Sequence, residues 1–484
     1  MKMKKVLALL LAGLMTASLA ACGGDTAADA PASQPAAESE AAPEADASSE
    51  AEAPAELSGK LTVWTLAEDL NQFAEKFHEK YPGVEVEVVV TPPGDYPTKV
   101  ETALLGGDST ADIIVGEPQM LESMYEAEFF ANLDEMGAQD YAGQIVDYVW
   151  EVGQDADGVQ RAISYQITPA GIYYRRDIAE KVFGTSDPEE IGKLFADYPT
   201  IIETGKTLKD AGYRIFASDA ETNYFSGDSA WVIDGKLNVD ESRYAYMDMC
   251  TELYQQDLTA YAAQWTAPWY QAMSGPVPIL TADVMWGDWG TNEAGETNLN
   301  VWDAENFNAN VGNYTDETAE VFAFGLPAWG VLTLRDNVGE TSGLWGVCEG
   351  PAYGFGGGTF IGISELSENK ELAWEFVKFC TLDEETADWW IEASEGDTVS
   401  LISALEKHAD DGNDVYGGQH LYSFWLEQAE GIDYSKVTMY DKAIGDAWGN
   451  AITAVKTGEK TKEDAVNGFY DEVASTYPDL IIER

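Results

Sequence analysis

From residue 60 onward the apolar positions alternate between strand and helix periods. Residues 60–66 (KLTVWTL) predict a strand. Leu70, Phe73, Ala74, Phe77 and Tyr81 then recur at helical spacing, and Pro82-Gly83 ends that helix. Val84, Val86, Val88 and Val90 fall on one face of a second strand. A helix is predicted over 96–105, closed by Gly106-Gly107, then a buried strand over 112–115 and a helix over 119–127. Further on, 279–285 and 360–364 predict strands. Residues 369–380 predict an amphipathic helix with Leu372, Ala373, Phe376, Val377 and Cys380 as its stripe. Two C-terminal helices follow. Tyr440, Ile444, Ala447, Trp448, Ala451, Ile452 and Val455 line one; Thr461 caps the other with Asp464 as its box partner. Such alternation predicts layered α/β domains with mainly parallel sheets. Ligands of such sheets bind beyond the carboxyl ends of the strands, here 66–69 and 116–118.

Before residue 57 the pattern differs. Lys2, Lys4 and Lys5 precede an apolar run, 6–14, too short to be a permanent membrane span. Leu19-Ala20-Ala21-Cys22-Gly23 then resembles a bacterial lipobox, which implies cleavage and lipidation at Cys22, with 1–22 as the signal. Two acyl chains on one cysteine suit stable anchoring. Residues 23–56 are mostly Ala, Pro, Glu, Asp and Ser, with nine acids and no base. A segment so poor in apolar surface is expected to be a disordered, extended tether.

The folded part, 57–484, is long enough for two lobes. It keeps 77 acids against 24 bases. Phosphate contacts need clustered Lys and Arg, so nucleic-acid binding is excluded as a function class. Cys250, Cys348 and Cys380 are too few for a disulfide framework and read most simply as buried thiols.

Six segments, in order and spacing, resemble the extracellular solute-binding proteins of carbohydrate ABC importers, the group that includes maltodextrin-binding proteins. They are KLTVWTLAEDLNQFAEKFHEKYPGVEVEVV from Lys60, ADIIVGEPQMLESMYEAEFFANLDEM from Ala111 and YQITPAGIYYRRDIAEKVFG from Tyr165, then ADVMWGDWG from Ala282, GGGTFIGISELSENKELAWEFVKFCT from Gly356 and the C-terminal helix pair. Residues 295–350 fit less well. The resemblance implies a two-lobed, periplasmic-binding-protein-like fold whose hinge has three crossings, near 167–170, 356–359 and 406. Lobe one would be 57–167 with 359–406, and lobe two 168–358 with 407–484. It also implies a lipid-anchored monomer on the outer face of a bacterial membrane. That monomer would close on a carbohydrate and deliver it to permease subunits with cytoplasmic ATPases.

Sugars stack their C–H faces on aromatic rings and offer hydroxyls to carboxylates, amides and guanidinium groups. Eight of the fifteen tryptophans lie in 221–360. Trp286, Asp288 and Trp289 put two indoles around a carboxylate, and the resemblance places Trp289 against ligand. A core role for these rings competes with that. Glu68, Asp69 and Glu117 follow strands and point at a cleft; Asp69 and Glu117 would equally cap the helices they precede. Tyr165, Gln166 and Thr168 occupy the first crossing, where the family places ligand contacts. Thr168 stands where maltodextrin binders carry an acid, which speaks against that specificity. Trp448 matches a family stacking position but also lies on its helix's apolar stripe. Gly357 and Gly358, with Gly356, would let the backbone approach ligand or free a hinge.

No cofactor and no metal is implied. The three histidines (His78, His408, His420) are scattered, and no nucleophile elbow or Cys/His motif occurs. Enzyme function is therefore not expected. The alternatives are a lipid-anchored glycan-binding adhesin and the same fold with a polyamine or peptide; a glycosidase, which needs two facing carboxylates, ranks below them.

Overall fold

The structure is a computed structural model and describes residues 57–285, 287, 289 and 301–484. Cys22, the tether 23–56, Trp286 and Asp288 lie outside the described residues.

The first lobe starts with β1 (Gly59–Thr65), α1 (Leu70–Lys80), β2 (Val84–Val90), α2 (Tyr96–Leu105), β3 (Ile113–Gly116) and α3 (Pro118–Glu126), and β4 (Ala162–Ser164) completes this run. α1 forms because Leu70, Phe73, Ala74 and Phe77 share one buried face. The chain then enters the second lobe through β5 (Ala170–Arg175), β6 (Arg214–Phe216), α4 (Glu241–Gln255), α5 (Ala267–Ser274), β7 (Val321–Pro327) and β8 (Trp345–Cys348). β9 (Phe360–Ile363), α6 (Lys370–Thr381) and α7 (Glu384–Ser394) return to the first lobe. α8 (Asp441–Lys456) and α9 (Lys462–Thr476) end the chain, and α8 packs on α4. Thr461 caps α9 by accepting the Asp464 N–H at 3.1 Å, while its hydroxyl meets the Asp464 carboxylate at 2.8 Å.

Each lobe is built on one sheet. The first has the order β2-β1-β3-β9-β4, the second β8-β5-β7-β6. Both are mixed rather than mainly parallel. β1 pairs parallel with β2 and β3, but β9 runs antiparallel to β3 and β4. In the second sheet only β6–β7 is parallel, and β5 is antiparallel to β7 and β8. A buried apolar run looks the same whichever way its neighbour runs, and the connections that reverse direction here are long. The strand expected over 279–285 is also corrected. Val277–Pro278 forms a two-residue strand and Ala282–Met285 a turn of helix. Short apolar runs fit either period.

Three chain segments lie side by side where the lobes meet. Ala170 N–H donates to Gly354 O at 2.7 Å and Gly356 N–H to Thr168 O at 3.1 Å. The Thr398 hydroxyl donates to Ile167 O at 2.6 Å, and Ser400 N–H to Tyr165 O at 2.8 Å. The thiols of Cys250, Cys348 and Cys380 are free and buried, and burial raises all three.

Candidate functional site

The side chains around these three segments form one connected surface. Asp69 follows β1 and stands at the N-cap position of α1, yet makes no capping bond. Its Oδ2 instead accepts the Tyr165 hydroxyl at 2.9 Å. Tyr165 is held by Phe73 and Trp390, at centroid distances of 4.8 and 5.7 Å. Burial, with the neighbouring Glu68 charge, lifts the Asp69 carboxyl above its ordinary range, and the Tyr165 bond opposes this. Glu68 itself is exposed. Behind them lies Asp397, fully buried. It accepts Trp390 Nε1–H at 3.0 Å and Thr398 N–H at 2.9 Å, and Gln166 Nε2 lies 3.5 Å away. Burial and the Asp69 charge raise Asp397 to about 7. Gln166 Oε1 accepts the Thr359 hydroxyl at 3.0 Å. Thr168 N–H donates to the Tyr148 hydroxyl at 2.6 Å, and the Thr168 hydroxyl donates to Gly357 O at 3.1 Å.

The second lobe brings aromatic faces to the same place. Trp329 Nε1–H donates to Gly356 O at 3.0 Å. Trp265 stacks on Trp329, with centroids 5.5 Å apart and planes at 25°. Trp265 is 44% exposed and has a left-handed backbone, φ +70°. Trp269 lies behind it at 5.2 Å and donates its indole N–H to Glu221 Oε1 at 2.9 Å. Burial raises Glu221 to about 8. Gly357 and Gly358 have φ +77° and +120°, so side chains there would be strained. At Gly356 a Cβ would meet the Tyr224 ring at 2.3 Å. Glu117, at the N-cap position of α3, also makes no capping bond; it accepts from Gln119 Nε2, and burial raises it. The Tyr224 hydroxyl feels the charges of both Glu221 and Glu117, one carboxyl from each lobe.

Asp69, Tyr165, Gln166, Thr168, Gly357 and Gly358 thus sit together, with Glu117 across from Tyr224. Trp289 and Trp448 do not join them. Trp289 is 4% exposed, donates to Val284 O at 2.8 Å, and packs with Phe307 and Tyr314 in a separate cluster with Leu280 and Val301. Trp448 packs among Trp231, Tyr244 and Phe469, at 6.0, 5.4 and 4.9 Å. Its edge lines a groove of about 600 Å³ with Asn223, Trp231 and Asn450. Sequence reasoning missed Tyr224, Trp265, Trp329, Glu221 and Asp397. The crowding of tryptophan in 221–360 signalled the two indoles without choosing them. Asp397 lies in a loop that carries no signal.

A two-lobed α/β molecule with paired acids and stacked indoles where the lobes meet is arranged to grip a solute. A sequence profile of bacterial extracellular solute-binding proteins matches residues 72–415. The chain belongs to that family. As a solute-binding protein it is not an enzyme, and its place is extracellular. Among solved structures, this solute-binding protein resembles an extracellular solute-binding protein of family 1, with 18% identity over 86% of this chain and 99% of that one, and a TM-score of 0.67. It also resembles the ABC-transporter-associated binding protein of Bifidobacterium animalis subsp. lactis, in complex with β-1,6-galactobiose (16%, 88% and 100%, TM-score 0.63). A third is the galacto-N-biose/lacto-N-biose I-binding protein of Bifidobacterium longum, in complex with lacto-N-biose (15%, 88% and 99%, TM-score 0.62). At these identities the likeness is one of fold. No helix of the described residues is long and apolar enough to cross a membrane.

Proposed function

We propose that this solute-binding protein is the substrate-binding component of an ABC importer and that its cargo is a mono- or oligosaccharide. The observation that carries the reading is Trp265, 44% exposed and stacked on Trp329, whose indole N–H reaches the Gly356 carbonyl among the segments that lie side by side where the lobes meet. The indoles suit the C–H face of a pyranose and Asp69 and Glu117 suit its hydroxyls, with the buried Tyr165 and Gln166 set behind them as candidate contacts. Trp286 and Asp288 are further candidate contacts, and Glu68, exposed beside Asp69, would extend the site. Lobe one is 57–167 with 359–406 and lobe two 168–358 with 407–484, the third crossing falling near 406; the hydrogen bonds of 168–170 to 354–356 support the first two crossings lying side by side. Closure of the lobes on the sugar is what permease subunits would read, with cytoplasmic ATPases driving transport. Cys22 carries the lipid, and 23–56 tethers a monomer to the membrane.

Thermal-shift and calorimetric titration of the secreted chain without its lipid-bearing cysteine, residues 23–484, against a saccharide panel tests this. Ligand that binds only the native state raises the melting temperature by mass action. Saturable binding of one sugar class without turnover supports the reading. Hydrolysis of the sugar, or a flat response across the panel, sinks it.

A further inference from the structure

The carboxyls where the lobes meet have no basic partner. Elsewhere, the partly buried Asp155 pairs with Arg161 at 2.7 Å and the buried Asp219 with Lys456 at 2.6 Å, while the buried Asp112 has no base and is held by Thr62 N–H and the Ser367 hydroxyl. Among the described residues no such bridge reaches Asp69, Glu117, Glu221 or Asp397, and burial is the first cause of the rise in each. One cation, Arg335, interacts with Asp397 but is engaged elsewhere. Arg335 feels Asp397 only as its weakest influence and is bonded to Asp336 and Ser394 O. Glu221 adds a separate observation. It is 3% exposed, and its Oε2 has no hydrogen-bond partner, although Ser218 and Gly325 N–H lie close enough to favour its ionised form. Trp265, 44% exposed and stacked on Trp329 beside the Gly356 carbonyl, adds an aromatic ring, whose quadrupole attracts cations and repels anions.

Resting on the saccharide reading above, we propose that this surface is a charge filter: it takes saccharides that are neutral or carry a protonated amine, and rejects those carrying a carboxylate, sulfate or phosphate. An anionic substituent brought against Asp69 and Glu117 meets like charge in a partly desolvated place and finds no cation to neutralise it. A hydroxyl there donates to a carboxylate. A protonated amine does so with charge assistance and gains the indole face as well.

The experiment is calorimetry of the secreted chain with matched oligosaccharides of three kinds: neutral hexose-based, hexosamine-based and hexuronate-based. In 0.5 M NaCl the screening length falls to about 4 Å, which removes the general repulsion of a chain that carries 86 acids against 24 bases once Lys2, Lys4 and Lys5 are gone. The tightest ligand should be neutral or amine-bearing, with its hexuronate counterpart at least tenfold weaker. That gap should narrow at least threefold in Glu117→Gln or Asp69→Asn protein of unchanged melting temperature. A hexuronate within threefold of its neutral counterpart, or a gap unchanged in both variants, overturns the filter and leaves the saccharide reading standing. Binding of no saccharide of any kind overturns both.

Discussion

Trp265 and Trp289 show how two tryptophans of one stretch take opposite roles. Trp265 keeps 44% of its surface exposed on a positive-φ backbone, while Trp289 is sealed among Leu280, Val301 and Phe307. Trp265→Ala should therefore weaken saccharide binding by about 2 kcal/mol, as a central anchor does, with little change in melting temperature. Trp289→Ala should act first on stability, costing about 3–5 kcal/mol in chemical denaturation. The buried acids make a second residue-level prediction. Glu221 and Asp397 have folded values of about 8 and about 7, above their ordinary values of 4.5 and 3.8. Between the ordinary and folded values the native state holds protons that the unfolded chain has lost, so stability must fall as pH rises. Their contribution is complete below about pH 4 and is lost by about pH 8. Melting temperature should thus decline from pH 5.5 to 8. Glu221→Gln should flatten the upper part of that decline; an unchanged profile would show that burial does not hold the proton.

At the scale of elements, local signals and packing agree well. α1, α2, β2 and β9 begin within a residue of where the pattern puts them, because the first three have one buried face, β9 is a short fully buried apolar run, and each has a Pro, Gly or polar boundary. The Thr461 cap of α9 is in place. Thr461→Ala leaves a first-turn N–H unsatisfied and should cost about 1 kcal/mol, read from the denaturation midpoint. The element misread was 279–285, a helical turn where a strand is expected. Asp69 and Glu117 are the informative case. Both stand at N-cap positions, but their carboxyls turn to Tyr165 and Gln119 instead of the helix N–H groups. Their sequence position allowed either use, and only the partner 96 residues away decides for Asp69.

For the whole molecule, the two sheets belong to two lobes, and segments 165–170, 354–356 and 398–400 lie alongside each other where these meet. A ligand that touches both lobes must favour whichever arrangement lets it do so. Saturating saccharide should therefore lower the radius of gyration in small-angle scattering of the secreted chain. An unchanged radius would favour a static glycan binder, such as an adhesin, over an importer component.

The periodicity of 60–127 and 360–380, the capping signal at Thr461 and the small number of cysteines determined the α/β elements and the free thiols without help from tertiary structure. These are properties of neighbours within a few turns of chain, and burial acts on them through spacing alone. The resemblance of ordered segments likewise set Tyr165, Gln166 and Thr168 at one expected crossing and Gly357 and Gly358 at another, and the structure lays these two segments side by side. Strand direction, the partners of Asp69 and Asp397, the pairing of Trp265 with Trp329 and the isolation of Trp289 and Trp448 were decided by the tertiary structure. Each depends on which distant segments come to share a surface: Gln166 meets Asp397 across 231 positions and Thr168 meets Gly357 across 189. No local pattern carries that information, because a buried indole and a ligand-facing indole satisfy the same helix or strand period.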